Sequence, residues 1–162
     1  MRAVYEPPTD ARAYQFCHRV RVRFAETDAM GVVHHAAYLP YLEETRVEFL
    51  RSLGHPFDLI REDGFELPVT EVVVHYLRPL VFDDEVDVHL TVANARGATF
   101  QLGYLLTVDR SPRATASTVH AVIGPNGRPT RCPDWLVSLA PARPTRPTPA
   151  TSAAGTGGSP AT

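Results

Sequence analysis

Arg19, Arg21 and Arg23 interleave with Val20, Val22 and Phe24, the period of a strand with one buried face. The stretch from about His35 to Leu53 reads differently. Its length and its Glu, Leu and Arg content predict a helix, stopped by Gly54 and then Pro56. Pro40 fits only within the first turn or so, where its missing N–H costs little. The helix therefore starts near His35 to Leu39. Its first half, Ala36, Ala37, Tyr38, Leu39, Tyr41 and Leu42, is apolar nearly all round, which predicts burial on most sides.

Four strand-like segments follow. Val69 to Leu77 is β-branched and apolar on both faces, the pattern of a central strand. Val86, Val88, Leu90 and Val92 then alternate with Glu85, Asp87, His89 and Thr91. After a turn at Asn94–Gly97, Phe100, Leu102, Tyr104, Leu106 and Val108 alternate with a more polar set. After Ser111–Pro112, Thr115 to Ile123 forms another strand, closed by Gly124-Pro125-Asn126-Gly127. Short turns favour antiparallel neighbours. The order of one strand, one long buried helix and four strands predicts an α+β domain, a curved antiparallel sheet wrapped around the helix.

Composition narrows the class. The chain has 162 residues, enough for one domain with a sizeable core, and is 44% hydrophobic and 21% charged. A formal charge of -2 leaves no overall basic footprint for nucleic acid. No apolar run approaches the roughly 20 residues that cross a bilayer, and the N-terminus has no secretory apolar segment. Neither nucleic acid nor membrane is therefore expected as a partner. Cys17 and Cys132 make no disulfide framework, so a cytoplasmic location is the simplest reading, with both cysteines as packing residues. From Pro141 the chain is built mostly of Pro, Ala, Thr, Gly and Ser, which cannot bury enough surface to stay folded. The expected layout is a flexible segment over 1–14, a domain over 15–140 and a disordered tail over 141–162. No internal repeat is visible.

The chemistry concentrates before the helix, in AETDAMGVVHHAAYLPYLEE. Asp28 has two readings. It is a turn or capping residue, or a carboxylate beside a helix N-terminus, able to activate water or attack an electrophile. The helix start offers unpaired N–H groups for a developing oxyanion, and Gly31 would let a substrate approach the backbone. His34 and His35, if both lie in the first helical turn, project about 100° apart and cannot share one site. That and the lack of metal-binding spacing argue against a metal centre. Glu43 and Glu44 read as a solvated face, Glu48 and Arg51 as an exposed pair, and Arg46 as partly buried and ion-paired. The other histidines, His18, His55, His75, His89 and His120, show no spacing that assigns a role. No G-x-S-x-G elbow, phosphate loop or dinucleotide fingerprint is present.

The segment RVRFAETDAMGVVHHAAYLPYLEETRVEFL resembles the signature of the hotdog-fold acyl-CoA thioesterases of the 4-hydroxybenzoyl-CoA thioesterase and YbgC type. Their T-D-x-x-G-V-V-x-H-x-x-Y pattern is matched by Thr27, Asp28, Gly31, Val32, Val33, His35 and Tyr38. YLRPLVFDDEVDV and GPNGRPTRCP also resemble later family segments, and the likeness spans roughly residues 15 to 140. It implies the hotdog fold and an acyl thioesterase acting on an acyl-CoA or acyl-carrier-protein thioester, with no cofactor. It puts the catalytic carboxylate, as general base or nucleophile, on Asp28 and the assisting histidine on His35. The polarising N–H falls at the helix start, about His35. Substrate contacts fall on Gly31, Val33, His34, Tyr38, Glu43, Arg46 and Arg78. Arg78, Arg96, Arg128 and Arg131 are candidates for CoA phosphates. Phe24 and His34 depart from the residues common in relatives, tyrosine and an aromatic respectively. The enediyne polyketide thioesterases look similar, but carry Asn at the Asp28 position and rely on an arginine corresponding to Arg46. The fold implies a homodimer or homotetramer paired edge to edge. Three rival readings are a polyketide-type carrier-protein thioesterase, a hotdog enoyl-CoA hydratase or dehydratase using the same Asp or His, and an acyl-CoA binding protein without turnover.

Overall fold

The computed structural model describes residues 5–141. Strand β1 (Phe16–Arg21) leads to helix α1 (Tyr38–Ser52) and the short α2 (Phe57–Glu62). Strands β2 (Val69–Tyr76), β3 (Glu85–Arg96), β4 (Thr99–Val108) and β5 (Ser111–Ala121) follow, then α3 (Asp134–Val137). The sheet order is β1-β3-β4-β5-β2 and every neighbour is antiparallel. Helix α1 packs on one face of this sheet. Tyr41, Leu42, Phe49 and Leu50 bury against Val88, Leu90, Leu102, Leu106 and Ala116. The rings of Phe16 and Phe49 lie 5.5 Å apart. This is the hotdog arrangement.

Arg19 and Arg21 stand opposite Asp87 and Glu85 in the β1–β3 ladder and pair with them on the solvent side. Strand β1 ends at Arg21, short of Phe24, because residues 24–26 form a one-turn 3₁₀ helix. Both the N–H and the guanidinium of Arg23 bond the Glu26 carboxylate and close that turn. Phe24, expected in the core beside Val20 and Val22, is 75% exposed and meets Phe82 edge-on at 5.7 Å.

Two further expectations change. Val69–Tyr76 is an edge strand, not a central one. Apolar residues on both faces read as burial on both, yet Val69, Val72, Val73 and Tyr76 are exposed in the single chain. Helix α1 begins after a 3₁₀ turn at His35–Ala37, with Pro40 as its third residue, where no intrahelical donor is lost. Its start is open on one side, since Ala36 and Leu39 are exposed.

The β3–β4 turn shrinks to residues 97 and 98 because β3 continues to Arg96 past a bulge between Val92 and Asn94. Asp109 and Arg110 (φ 48° and 65°) make the β4–β5 turn, so Ser111 and Pro112 belong to β5. Cys132 is buried, whereas Cys17 is exposed on β1 and packs little. The stretch expected to fray makes defined contacts from Tyr5 onward. A Cβ on Gly103 would fall 2.4 Å from the Tyr5 ring, so only glycine lets that ring lie on the sheet's outer face. Residues 1–4, and all of the expected tail beyond Pro141, lie outside the described residues.

Candidate active site

The loop between β1 and α1 is built around Glu26. Its carboxylate is nearly buried and accepts from the Arg23 N–H, the Arg23 guanidinium and the Tyr41 hydroxyl. Burial alone would push Glu26 up. The hydrogen bonds from Tyr41 and Arg23 outweigh it and leave the carboxyl below its ordinary value. Burial, then the Glu26 charge, pushes the Tyr41 hydroxyl up. The Glu26 carbonyl also accepts the His34 N–H at 2.8 Å. One glutamate thus fixes both ends of the segment that carries Asp28.

Within that segment, Asp28 donates its N–H to the Val32 carbonyl at 2.8 Å and accepts the Gly31 N–H at 2.9 Å. Its Oδ1 accepts the Met30 N–H at 2.8 Å. Gly31 has φ +77°, the left-handed conformation the tight turn requires. The capping reading of Asp28 therefore holds for one carboxylate oxygen. Among the described residues Oδ2 has no hydrogen bond, and the side chain lines a cavity.

His34 precedes the helical turn in an extended conformation, and its Nδ1 accepts the Ala36 N–H at 3.2 Å. As that acceptor, neutral His34 carries its proton on Nε2. The expected 100° divergence of the two histidines fails because only His35 is helical. Their rings stack at 4.1 Å with a 32° tilt. His35 opens the turn, and N–H groups at that position have no partner within the helix.

A cavity of about 350 Å³ opens at this turn. Asp28, Met30, Val32, Val33, His35 and Tyr38 line it from the loop, and Tyr76, Leu77, Arg78 and Pro79 from the end of β2. Tyr38 and Tyr76 meet edge to face at 4.9 Å, and the Tyr76 hydroxyl donates to the His35 carbonyl at 3.0 Å. Burial pushes the Tyr38 hydroxyl up. Arg78 donates to the Ser111 hydroxyl at 2.9 Å and sits at the rim.

The structure thus brings together Asp28, Val33, His35, Tyr38 and Arg78. Gly31 and His34 shape the loop without lining the cavity. Arg96, Arg128 and Arg131 lie toward the β3–β4 hairpin, where Cys132 bonds Gly97 and Val122 bonds Ala98. That is the opposite end of the sheet from Arg78, which bonds Arg113 near the β4–β5 turn.

Glu43 and Arg46 line a second cavity, of about 220 Å³, between α1 and β2, with Leu39, Leu42, Val69, Val72, Tyr104 and Thr118. Arg46 is 8% exposed. The ion pair expected for Arg46 is present within the helix but long: its Nη2 lies 3.9 Å from Glu43, and its guanidinium stands 5.6 Å over the Phe57 ring. Its Nη1 lies 3.5 Å from Nε2 of His120, a fully buried residue that no sequence spacing marked. His120 stacks on Phe100 at 4.6 Å and bonds Thr118 at 2.8 Å. Burial first, then the Arg46 charge, pushes His120 down to about 4. Its only sequence signal is its inward phase on β5, visible once the strand's register is known.

Among the described residues, no three His, Cys, Asp or Glu gather as metal ligands. No helix among them is long and apolar enough to cross a membrane.

Comparison with known proteins identifies the family. Residues 22–139 match the family model of the thioesterase-like superfamily. A putative esterase of Aquifex aeolicus is 40% identical over 108 residues, covering 67% of this chain and 84% of that protein. A crystal structure of a hypothetical protein from Aquifex aeolicus superposes with a TM-score of 0.73 at 36% identity, covering 78% of this chain and all of that one. The 1,4-dihydroxy-2-naphthoyl-CoA thioesterase of Synechocystis superposes with a TM-score of 0.70 at 26% identity, covering 76% and 94%. With its five-stranded sheet, buried helix and matched segment, the chain belongs to the thioesterase-like superfamily and is a thioester hydrolase of the hotdog fold.

Proposed function

We propose that the chain hydrolyses an acyl-CoA thioester in the cavity at the start of α1, with Asp28 as its catalytic carboxylate. The observation that carries this is the shared lining of one cavity by Asp28 and His35, with one Asp28 oxygen committed to the turn and the other uncommitted. The loop holds the carboxylate through its own backbone, so the group is positioned before substrate arrives.

In this reading the thioester carbonyl sits against the His35 N–H, which stabilises the oxyanion. Asp28 takes a proton from water as that water attacks the carbonyl carbon, or attacks the carbon itself to give an anhydride that water then opens. The C–S bond breaks in either case and the thiolate leaves. A thiol with a pKa near 8.5 needs little acid assistance. The His35 ring helps orient the thioester, and Val33 and Tyr38 wall the acyl side. Arg78, at the rim, suits a CoA phosphate. The names of relatives that act on CoA esters support CoA over a carrier protein as the thiol carrier. A cytoplasmic site of action fits two free cysteines.

The working unit in this proposal is a pair of chains joined along β2. Among the described residues no strand pairs with the outer edge of β2, and it exposes Val69, Val72, Val73 and Tyr76, a combination that monomeric proteins avoid. Antiparallel pairing of two β2 strands would cover it and wall the cavity that Tyr76 lines.

The test is release of free thiol from aliphatic and aromatic acyl-CoAs and from acyl-carrier-protein thioesters, followed with a thiol reagent. Hydrolysis of CoA esters is expected. Turnover of the carrier-linked esters alone would move the substrate to a carrier protein, and no release from any would overturn the reading.

A further inference from the structure

Among the described residues, the buried cation Arg46 meets one carboxylate, the largely exposed Glu43, through a long ion pair of 3.9 Å. Arg46 lines the 220 Å³ cavity from the face of α1 that also presents Leu39, Leu42 and Glu43, a spacing that puts all four on one stripe. Its Nε is fully buried and, among the described residues, has no hydrogen-bond partner. Its Nη1 faces the ring nitrogen of His120 at 3.5 Å, a long contact with a group that burial and the Arg46 charge keep neutral. Its Nη2 is 3.9 Å from Glu43, whose side chain is 71% exposed. The other polar groups lining the cavity are the hydroxyls of Tyr104 and Thr118, 3.4 Å apart. A guanidinium out of water needs an acceptor, and a carboxylate is the anion whose shape it matches best.

The cavity lies beside the first half of β2, through Val69 and Val72, whereas the Asp28 cavity lies at the other end, through Tyr76 and Leu77. Within one chain the Tyr38–Tyr76 ring pair stands at the Asp28 end. Antiparallel pairing along β2 inverts one copy against the other. In the pairing proposed above, the Val69 end of each strand would face the Tyr76 end of its partner, and the Arg46 cavity of one copy would adjoin the Asp28 cavity of the other.

We propose that the Arg46 cavity is the subsite for the far end of the acyl group, and that it selects acyl chains carrying a carboxylate remote from the thioester. This rests on the reading that the Asp28 cavity holds the thioester. Leu39, Leu42, Val69 and Val72 take the chain's methylenes, and the guanidinium of Arg46 takes the anion. Glu43, whose carboxylate lies 3.9 Å from Nη2, competes for the guanidinium from solvent.

The test uses binding, so that it does not depend on turnover. Two unhydrolysable CoA thioethers, with a methylene between sulfur and carbonyl, are compared by calorimetry at two chain lengths. One acyl chain ends in a carboxylate and its match ends in a methyl. The carboxylate form should bind about tenfold tighter or better at one length. Arg46→Met should erase the preference, Arg46→Lys should keep part of it, and Glu43→Gln should widen it. The lysine and glutamine variants decide the matter if Arg46→Met fails to fold. Equal affinities within about twofold, a preference that survives Arg46→Met, or no binding of either analogue would overturn the proposal. The preference without thiol release from any ester would refute the hydrolysis reading and leave this subsite standing. Thiol release without the preference would do the reverse.

Discussion

The hydroxyl of Tyr76 on the edge strand donates to the backbone carbonyl of His35 at 3.0 Å, tying β2 to the turn that opens helix α1. The two residues lie 41 positions apart and line the same cavity. The bond holds the N–H of His35 in place from its own peptide neighbour. Tyr76→Phe keeps the ring against Tyr38 and removes only this tie. Losing one such bond costs about 1 kcal/mol, so kcat/KM for acyl-CoA should fall roughly fivefold while the melting temperature drops by only about 2–4 °C. Unchanged turnover would show that the His34 cap alone positions the turn.

Glu26 makes a second prediction about the same loop. Its carboxyl lies below the ordinary glutamate value because Tyr41 and Arg23 donate to it despite burial. A group depressed in this way stabilises the fold fully above its unfolded value of 4.5 and loses that contribution as the pH falls through the folded value. Tyr41→Phe removes one donor to a charged acceptor, a loss of about 1.5–3 kcal/mol in denaturant unfolding near neutral pH. The same variant should show a shallower acid loss of stability below pH 4.5 than the unmodified chain.

His120 acts higher on the pH scale. Burial and the Arg46 charge hold it at about 4 in the fold, against 6.5 when free. Below 6.5 the unfolded chain binds a proton that the folded chain refuses, so stability declines as the pH drops from 6.5 toward 4. The full contribution is on the order of 3 kcal/mol. His120→Gln should flatten the stability curve across that window, read from unfolding midpoints at closely spaced pH values. An unaltered slope would assign the acid sensitivity elsewhere.

The elements with a clean period were legible in the sequence, and so was the Asp28 turn. The helix stop at Gly54, the alternation in β3 and β4 and the Thr27–Tyr38 segment each carry a local signal, because neighbours in the chain decide them. Strand order does not. Val69–Tyr76 looked central because its valines read as buried on both faces, but among the described residues nothing pairs with its outer edge and Val69, Val72 and Val73 are exposed. The same limit hid His120. Its proximity to Arg46 spans 74 positions and depends on the register of β5 under α1. Phe24 misled because the Arg23–Glu26 bonds turn the chain one step before alternation would have buried it.

The exposed β2 edge predicts assembly. Sedimentation should give at least twice the 17.8 kDa chain mass. Val73→Asp, near the middle of β2, would bring two like charges close across a paired edge. It should shift the population to monomer and reduce hydrolysis together. Full activity in a clean monomer would contradict the paired site.

The most direct measurement is single-turnover thiol release by Asp28→Asn against the unmodified chain, on a CoA ester the latter cleaves. Asparagine keeps the Oδ1 acceptor for the Met30 N–H, so the turn is preserved while the charge is lost. A fall in kcat of about a hundredfold or more, at unchanged melting temperature, is the predicted result. A variant that cleaves as fast as the unmodified chain would contradict the assignment of Asp28 and the account built on its cavity.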